Sequence, residues 1–325
     1  MVDDALWNAT ADGVVCSDMK AITYAQFGNT EVFELTEVAD PHPGPDSIVV
    51  EVKAAGINPV DYKVREGYLA GLIDTQFPVV PGWDVAGVVA QVGLDTPEFQ
   101  VGDEVYAYAR KDSIGGGTLA ELVAVPVRTA AHKPSSIGFE QAAAVPLAGL
   151  TALQTVRRAG VASGQTVLVH GAAGGVGSFA VQLALHAGAT VVGTASATNH
   201  DYLRDLGVTP IEYGDGLVER ALAQSPAGYD IILDYAGGAS LDHTSELLTK
   251  GGVVASVADP RAATEFGGHY VWVRPDSTDL EELAELIDDG ALKVEVANTF
   301  ALADTADAYA ELEGGHVRGK IVVVP

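Results

Sequence analysis

Hydrophobic and polar positions along this chain obey two different rules. Over residues 19–134 apolar side chains fall in short runs, at 48–55, 85–92, 104–109 and 119–125, separated by Gly, Pro and Asp. Such runs with turn residues between them predict a unit built mostly of β-strands. Over residues 135–268, strand-like runs at 166–169, 191–194, 229–233 and 252–257 alternate with helical stretches. That alternation predicts an α/β unit with a doubly wound parallel sheet. An acidic helical stretch near 280–288 and a closing strand at 320–324 are expected to return to the first unit. Residues 1–18 show no clear periodicity, and Met19 opens a stretch, Met-Lys-Ala-Ile-Thr-Tyr, that reads as a natural start. The first 18 residues are therefore read as an N-terminal extension.

One strand-to-helix junction carries chemistry. Residues 166–177 read Thr-Val-Leu-Val-His-Gly-Ala-Ala-Gly-Gly-Val-Gly, and a helical stretch follows at 178–186. A strand that breaks into glycines and re-forms as a helix is the layout of a dinucleotide-binding βα unit. Gly174 lets the backbone approach a pyrophosphate, Gly177 lets the helix pack closely on the strand, and the helix start offers unpaired N–H groups to phosphate. Ala173, Gly174, Gly175, Val176 and Gly177 are the candidate phosphate-binding residues. Ala172 stands at the first glycine position of the GxGxxG pattern, with Gly171 before it. A second strand-like run at 190–194 comes where the next parallel strand belongs. The alternative is a tight turn with no ligand.

An acid just after that second strand would bind the adenosine ribose hydroxyls and repel a 2′-phosphate. Here the chain reads Thr-Ala-Ser-Ala-Thr-Asn-His over 194–200, and no carboxylate comes before Asp201. Ser196 and Asn199 can donate to phosphate oxygens, His200 adds charge when protonated, and Arg204 lies one helical turn on. NADPH is therefore expected over NADH. The same Ser196 and Asn199 would also serve simply as caps of the next helix.

Composition narrows the rest. A chain of 325 residues, 48% hydrophobic, can bury the cores of two domains. The apolar runs are too short and interrupted to cross a membrane. The single cysteine, Cys16, permits neither a disulfide framework nor a cysteine-based zinc site, and the acidic start is unlike a signal peptide. A cytoplasmic location is expected. With 44 acidic and 18 basic residues the net charge is −26, which repels nucleic acid and anionic membranes. Dense carboxylates also suit life at high salt or an acidic proteome.

Five stretches then fall into a recognisable order: Ala-Ala-Gly-Ile-Asn-Pro-Val-Asp-Tyr-Lys at 54–63, Pro-Gly-Trp-Asp-Val-Ala-Gly at 81–87, Val-Gly-Asp-Glu-Val at 101–105, the glycine run at 172–177, and Gly319-Lys320. Together they resemble the medium-chain dehydrogenase/reductase superfamily. The likeness is strongest to its zinc-free branch of quinone oxidoreductases, with the zeta-crystallin-like reductases and the alkenal and enone reductases. It spans about residues 19–325. The resemblance implies a GroES-like catalytic domain at 19–134 and 272–325 and a Rossmann domain at 135–271.

Zinc-dependent members of that superfamily hold a catalytic metal with a Cys, a His and a further Cys. Matched onto this chain, those positions fall at Asn58, at Trp83 and near Leu147, none of which replaces a zinc ligand. The eight histidines are scattered, with no HxxxH or HExxH spacing. No catalytic metal is expected. Without a Lewis acid the chemistry best served is hydride delivery to an electron-poor carbon or quinone ring, with a hydrogen-bond donor meeting the developing oxyanion.

The resemblance also implies site roles. Asn58 would orient the nicotinamide-ribose region, and Tyr62 or Lys63 would stabilise or protonate the enolate or hydroquinone oxygen. Asn58 before Pro59 reads equally as a turn residue, Tyr62 as pocket wall and Lys63 as a solvated charge. Asp234 to Gly238, Gly237 among them, and Ser256 to Ala258, with Val257, would line the nicotinamide side at the carboxyl ends of their strands. Tyr213 would pack near the adenosine phosphate, Val273 would lie where the chain crosses between domains, Thr151 would face the nicotinamide or simply pack, and Lys320 would reach the cofactor.

The expectation is thus a metal-independent, NADPH-dependent oxidoreductase acting on a small electrophile, a quinone or the C=C bond of an α,β-unsaturated carbonyl. Two rivals remain: a non-enzymatic, crystallin-like NADPH-binding protein, and an enoyl-thioester reductase. The latter needs a basic channel that so few Lys and Arg hardly supply. Aromatic and β-branched residues at 268–273, Gly-His-Tyr-Val-Trp-Val, read as an edge strand that joins two copies into a homodimer.

Overall fold

The structure is a computed structural model that describes residues 18–325. Most of the extension expected at 1–18 lies outside the described residues. Its last residue, Asp18, opens the strand Asp18–Thr23, which pairs antiparallel with Glu34–Ala39.

In the β-rich unit the long strand Ser47–Ile57 is central. It pairs antiparallel with Asp84–Val92 and Leu122–Pro126, and its last residues pair with the closing strand Lys320–Val324. Glu104–Tyr108 and Ala130–His132 extend the sheet on one side, and Val296–Ala301 on the other. The alternating Val and Ile of these strands form a core around Ile48, Val50, Val85, Val105 and Val323. Inward alternation of β-branched residues is what a half-covered antiparallel sheet selects. The closing strand brings Lys320 from the far end of the chain to Ile57 and Asn58, where the helix Pro59–Arg65 begins.

The second unit is a six-stranded parallel sheet in the order Thr209–Ile211, Thr190–Thr194, Thr166–His170, Tyr229–Asp234, Leu248–Ser256, His269–Tyr270. Its central strands are buried along nearly their whole length and read as continuous apolar runs, as expected when helices cover both faces. The register sets His170 beside Asp234 and Asp234 beside Ser256, so these polar residues form a row at the carboxyl ends. The edge strand is shorter than the aromatic run at 268–273 suggests. Its neighbour ends at Ser256, so Val271 N makes the last bond of the ladder, 2.9 Å to the Ser256 carbonyl.

The two units share the helices Pro146–Ala159 and Ser277–Asp288. Gln154 and Arg157 of the first reach Asp279 of the second, and Leu283 packs where Gly149 leaves room. Tyr106 of the β-rich unit donates to the Leu280 carbonyl, and Asp288 accepts from the Ser135 and Ser136 N–H groups. Among the described residues no helix is long and apolar enough to cross a membrane.

Candidate active site

A cleft of about 1070 Å³ runs between the units, and the glycine-rich junction forms its floor. After the strand Thr166–His170 the chain turns through Gly171, at φ 71°, and enters the helix Gly175–His186. The helix starts so close to the turn that a Cβ on Gly177 would lie 2.1 Å from the Gly171 carbonyl oxygen. The N–H groups of the helix's first turn have no intrahelical acceptor, and Gly174, Gly175, Val176 and Gly177 line the cleft with Ala173. This bare, positively polarised cradle fits a dinucleotide pyrophosphate. The loop is tied to the other unit as well, since Gly319 N donates to the Ala173 carbonyl at 3.1 Å.

In sheet order, the loops after Thr190–Thr194 and Thr209–Ile211 lie to one side of this cradle. Ser196, Thr198, Asn199 and Tyr213 line the cleft there. The Ser196 and Thr198 hydroxyls are 2.9 Å apart and Asn199 Nδ2 donates to Ser196 Oγ at 3.2 Å, so three small donors gather in one place. None of them makes a side-chain cap to the helix that follows. Arg204 is drawn off to Asp201, 2.6 Å away. Arg220 donates to the carbonyls of Glu212, Tyr213 and Gly214, holding the Tyr213 loop in shape.

At the opposite, β-rich wall sits a buried polar cluster. Asn58 Nδ2 donates to Asp84 Oδ2 at 2.9 Å, and Asn58 Oδ1 accepts from Lys320 Nζ. Lys320 Nζ also donates to the Ile57 carbonyl at 2.8 Å and stands 3.8 Å from Asp84 Oδ2. Asp84 Oδ1 takes the Leu147 N–H at 2.8 Å, and Asp61 Oδ2 takes the Asn58 N–H at 2.8 Å. Burial raises Asp84 to about 6, against the pull of Lys320 and the Asn58 and Leu147 donors. Burial raises Asp61 to about 7, offset by the Asn58 N–H and aided by the neighbouring Asp84 charge. Lys320 is lowered by desolvation, which the two carboxylates partly counter. Only Asn58 and Lys320 of these four line the cleft.

The remaining candidates divide. Gly237 lines the cleft. Asp234 does not: its Oδ1 accepts from Ala236 N, Gly237 N and Ser240 Oγ, and its Oδ2 from Ser256 Oγ at 2.6 Å. It is the internal brace of the loop. Thr151 is buried and donates to the Leu147 carbonyl at 2.6 Å, and Val257 and Val273 are half-buried away from the lining. The structure does not bring Tyr62 or Lys63 to the cleft. Tyr62 packs on the β-rich core and Lys63 is exposed, because the helix Pro59–Arg65 turns both away from Asn58. Trp83 and Leu147 are buried, Trp83 stacked at an angle on Tyr108.

Two contributors, Asp84 and His170, escaped the sequence reading. Asp84 was visible as an acid opening an apolar strand, the mark of a carboxylate with a buried task. Tyr235 belongs to the stretch expected on the nicotinamide side, and it lines the cleft. His170 also lines it and is fully buried; desolvation holds it down at about 4, against the pull of Asp234, so the imidazole is neutral. Nothing in its sequence context distinguishes His170 from a core residue.

A glycine cradle at the carboxyl ends of a parallel sheet, faced across the cleft by a β-rich unit, defines a dinucleotide-dependent oxidoreductase. Comparison with known proteins agrees. Residues 44–135 match the alcohol dehydrogenase GroES-like domain, and residues 206–323 match the family described as zinc-binding dehydrogenase. The chain is 37% identical over 328 residues to the chloroplastic NADPH-dependent alkenal/one oxidoreductase of Arabidopsis thaliana, covering 98% of this chain and 82% of that protein. It is 35% identical to the 2-methylene-furan-3-one reductase of Solanum lycopersicum, covering 95% of this chain and 80% of the other. The solved quinone oxidoreductase from Coxiella burnetii superposes with a TM-score of 0.86 at 32% identity, over 95% of this chain and 100% of that one. The chain belongs to the medium-chain dehydrogenase/reductase superfamily.

Proposed function

We propose that the chain is an NADPH-dependent oxidoreductase that reduces quinones or the C=C bond of α,β-unsaturated carbonyls. The observation that carries this reading is one cleft holding both a phosphate cradle, at Gly174 to Gly177, and a fixed carboxamide, Asn58, on the opposite wall. The names of the related reductases point the same way.

Bound NADPH would supply the hydride. The protein's own part is placement. N–H groups at the start of Gly175–His186 would hold the pyrophosphate, and Ser196, Thr198 and Asn199 would receive the 2′-phosphate. One Nδ2 hydrogen of Asn58 goes to Asp84. The other has no acceptor among the described residues and is available to the nicotinamide ribose or to the oxygen that gains charge. Delocalisation of that charge over an enolate or hydroquinone is what lets a neutral donor suffice. A screen of NADPH oxidation against quinones, enones and enoyl thioesters tests the reading. Stoichiometric NADPH binding without turnover of any electrophile would overturn it in favour of a non-enzymatic binding protein.

The assembly belongs to the same proposal. The short parallel edge strand His269–Tyr270, with Tyr270 and Trp272 exposed beside it, is suited to pairing two copies into a homodimer in the cytoplasm. Light scattering at micromolar concentration in low and high salt should report twice the chain mass; a monomer in both would count against the pairing.

A further inference from the structure

The stem of Lys320 lies against the glycine-rich loop at Gly175. A Cβ on Gly175 would meet Lys320 Cδ at 2.8 Å, and the preceding Gly319 is bonded to Ala173. The ammonium at the other end of the same side chain holds Asn58 Oδ1 and the Ile57 carbonyl. One residue therefore touches both the element that would seat the cofactor phosphates and the amide on the reactive wall.

Electrostatics fixes the sense of that amide. With Lys320 at Oδ1 and Asp84 at Nδ2, turning the amide over would set NH₂ against NH₃⁺ and a carbonyl against a carboxylate. The backbone of Asn58 is pinned too, by Asp61 in front and Pro59 behind. Lys320 is 5% exposed and Asp84 fully buried, so water neither screens the pair nor substitutes for either partner. A lysine spent on the pyrophosphate would instead aim its ammonium into the cleft. Here Ile57, Asn58 and Asp84 surround the ammonium.

We propose that Lys320, with Asp84 as its counter-charge, is a positioning residue: it sets the Asn58 amide and holds it in register with the glycine-rich loop. The proposal rests on the oxidoreductase reading for its kinetic consequences only. The orientation of the amide is a property of the protein alone.

Two measurements on Lys320→Met, which keeps the stem and removes the ammonium, test it. In the first, the Asn58 side-chain NH₂ signals are assigned by ¹⁵N NMR through their loss in Asn58→Ala. In Lys320→Met they should shift and exchange faster with solvent, with no cofactor or substrate present. In the second, kcat should fall about 10²-fold, the scale of a misplaced catalytic group, while KM for NADPH stays within about threefold. In an Asn58→Ala background, Lys320→Met should then cost less than about twofold more, because both changes remove the same function. A rise in KM with kcat preserved would make Lys320 a direct phosphate ligand and overturn the proposal. So would losses that multiply in the Asn58→Ala background. If Lys320→Met does not fold, Asp84→Asn/Lys320→Met, which leaves no unpaired buried charge, takes its place. If the wild type reduces no quinone or enone, the functional reading fails, and the NMR comparison still decides: unchanged Asn58 signals would refute the positioning role.

Discussion

A Cβ placed on Gly177 would stand 2.1 Å from the carbonyl oxygen of Gly171. The obstacle is backbone at the root of the turn, and it cannot rotate away. Gly177→Ala should therefore cost about 3 kcal/mol or more, the upper end of overpacking, and weaken NADPH binding with it. At Gly175 the nearest obstacle, 2.8 Å away, is side chain, the stem of Lys320, whose ammonium is anchored on Asn58 and Ile57, and the Gly319 carbonyl oxygen lies 3.2 Å away. Gly175→Ala should cost less than Gly177→Ala, about 1–2 kcal/mol, because a side chain can shift where a backbone carbonyl cannot and helix propensity gains in part, and it should disturb the Lys320 contact with Asn58. Urea unfolding and NADPH fluorescence titration of both variants check the pair; equal effects would refute the argument from the two neighbours.

Ala195 is buried at the end of the second strand of the parallel sheet, beside Ser196 and Asn199. Each neutral donor to a charged oxygen contributes roughly 1.5–3 kcal/mol in a shielded site. Two of them should give NADPH at least a tenfold advantage over NADH, which needs only about 1.4 kcal/mol. Asp201 is already paired with Arg204 and opposes this weakly. Ala195→Asp should erase or reverse the preference by repelling the 2′-phosphate and accepting from the ribose hydroxyls. The ratio of kcat/KM for the two cofactors decides it: no preference in the wild type, or none lost in the variant, sinks the assignment.

The fold was legible because each unit repeats one local rule. The strands Thr190–Thr194 and Lys320–Val324 lie where the apolar runs put them, and Gly177 is forced to be glycine by the contact its motif implies. The site was legible where backbone does the work and less so where side chains cross between units. Lys320 and Asn58 are 262 positions apart in the chain, and no period or motif records that they touch. Asp234 is the opposite case. Its place at a strand end suggested a ligand contact, but four donors from its own loop and the next strand take both oxygens. Tyr62 and Lys63 were assigned from the resemblance, which sets their loop against the nicotinamide; here they lie on the helix Pro59–Arg65 and neither lines the cleft.

Asn58 lines the cleft and its neighbours Tyr62 and Lys63 do not, which sets a contrast in kinetics. Tyr62 packs on the β-rich core and Lys63 is exposed, so neither hydroxyl nor ammonium reaches the cleft. Tyr62→Phe and Lys63→Met should leave kcat/KM within about twofold, whereas Asn58→Ala should lose about 10²-fold or more, the scale of one oxyanion donor. Steady-state rates with one quinone and one enone measure all three. A large loss in Tyr62→Phe would return that hydroxyl to the reaction.

Asp61 carries a further consequence, in stability rather than rate. Burial raises its carboxyl from 3.8 to about 7, so the folded chain holds a proton that the unfolded chain releases near pH 4. The raised acid favours the fold fully below its unfolded value, and that advantage is lost as pH climbs from about 4 to about 7. At most it amounts to about 4 kcal/mol, from roughly three units at 1.36 kcal/mol each. Asp61→Asn keeps an acceptor for the Asn58 N–H and removes the ionisation. Relative to wild type it should be progressively more stable from about pH 4 to pH 8, the difference levelling off once Asp61 is ionised in both states. Subtracting the two urea-unfolding curves at each pH cancels the groups they share, including Asp84 and His170 to first order. A difference that stays flat would mean that the Asn58 N–H and Lys320 stabilise the Asp61 carboxylate as much as burial penalises it, and one that grows toward acid that they do so more.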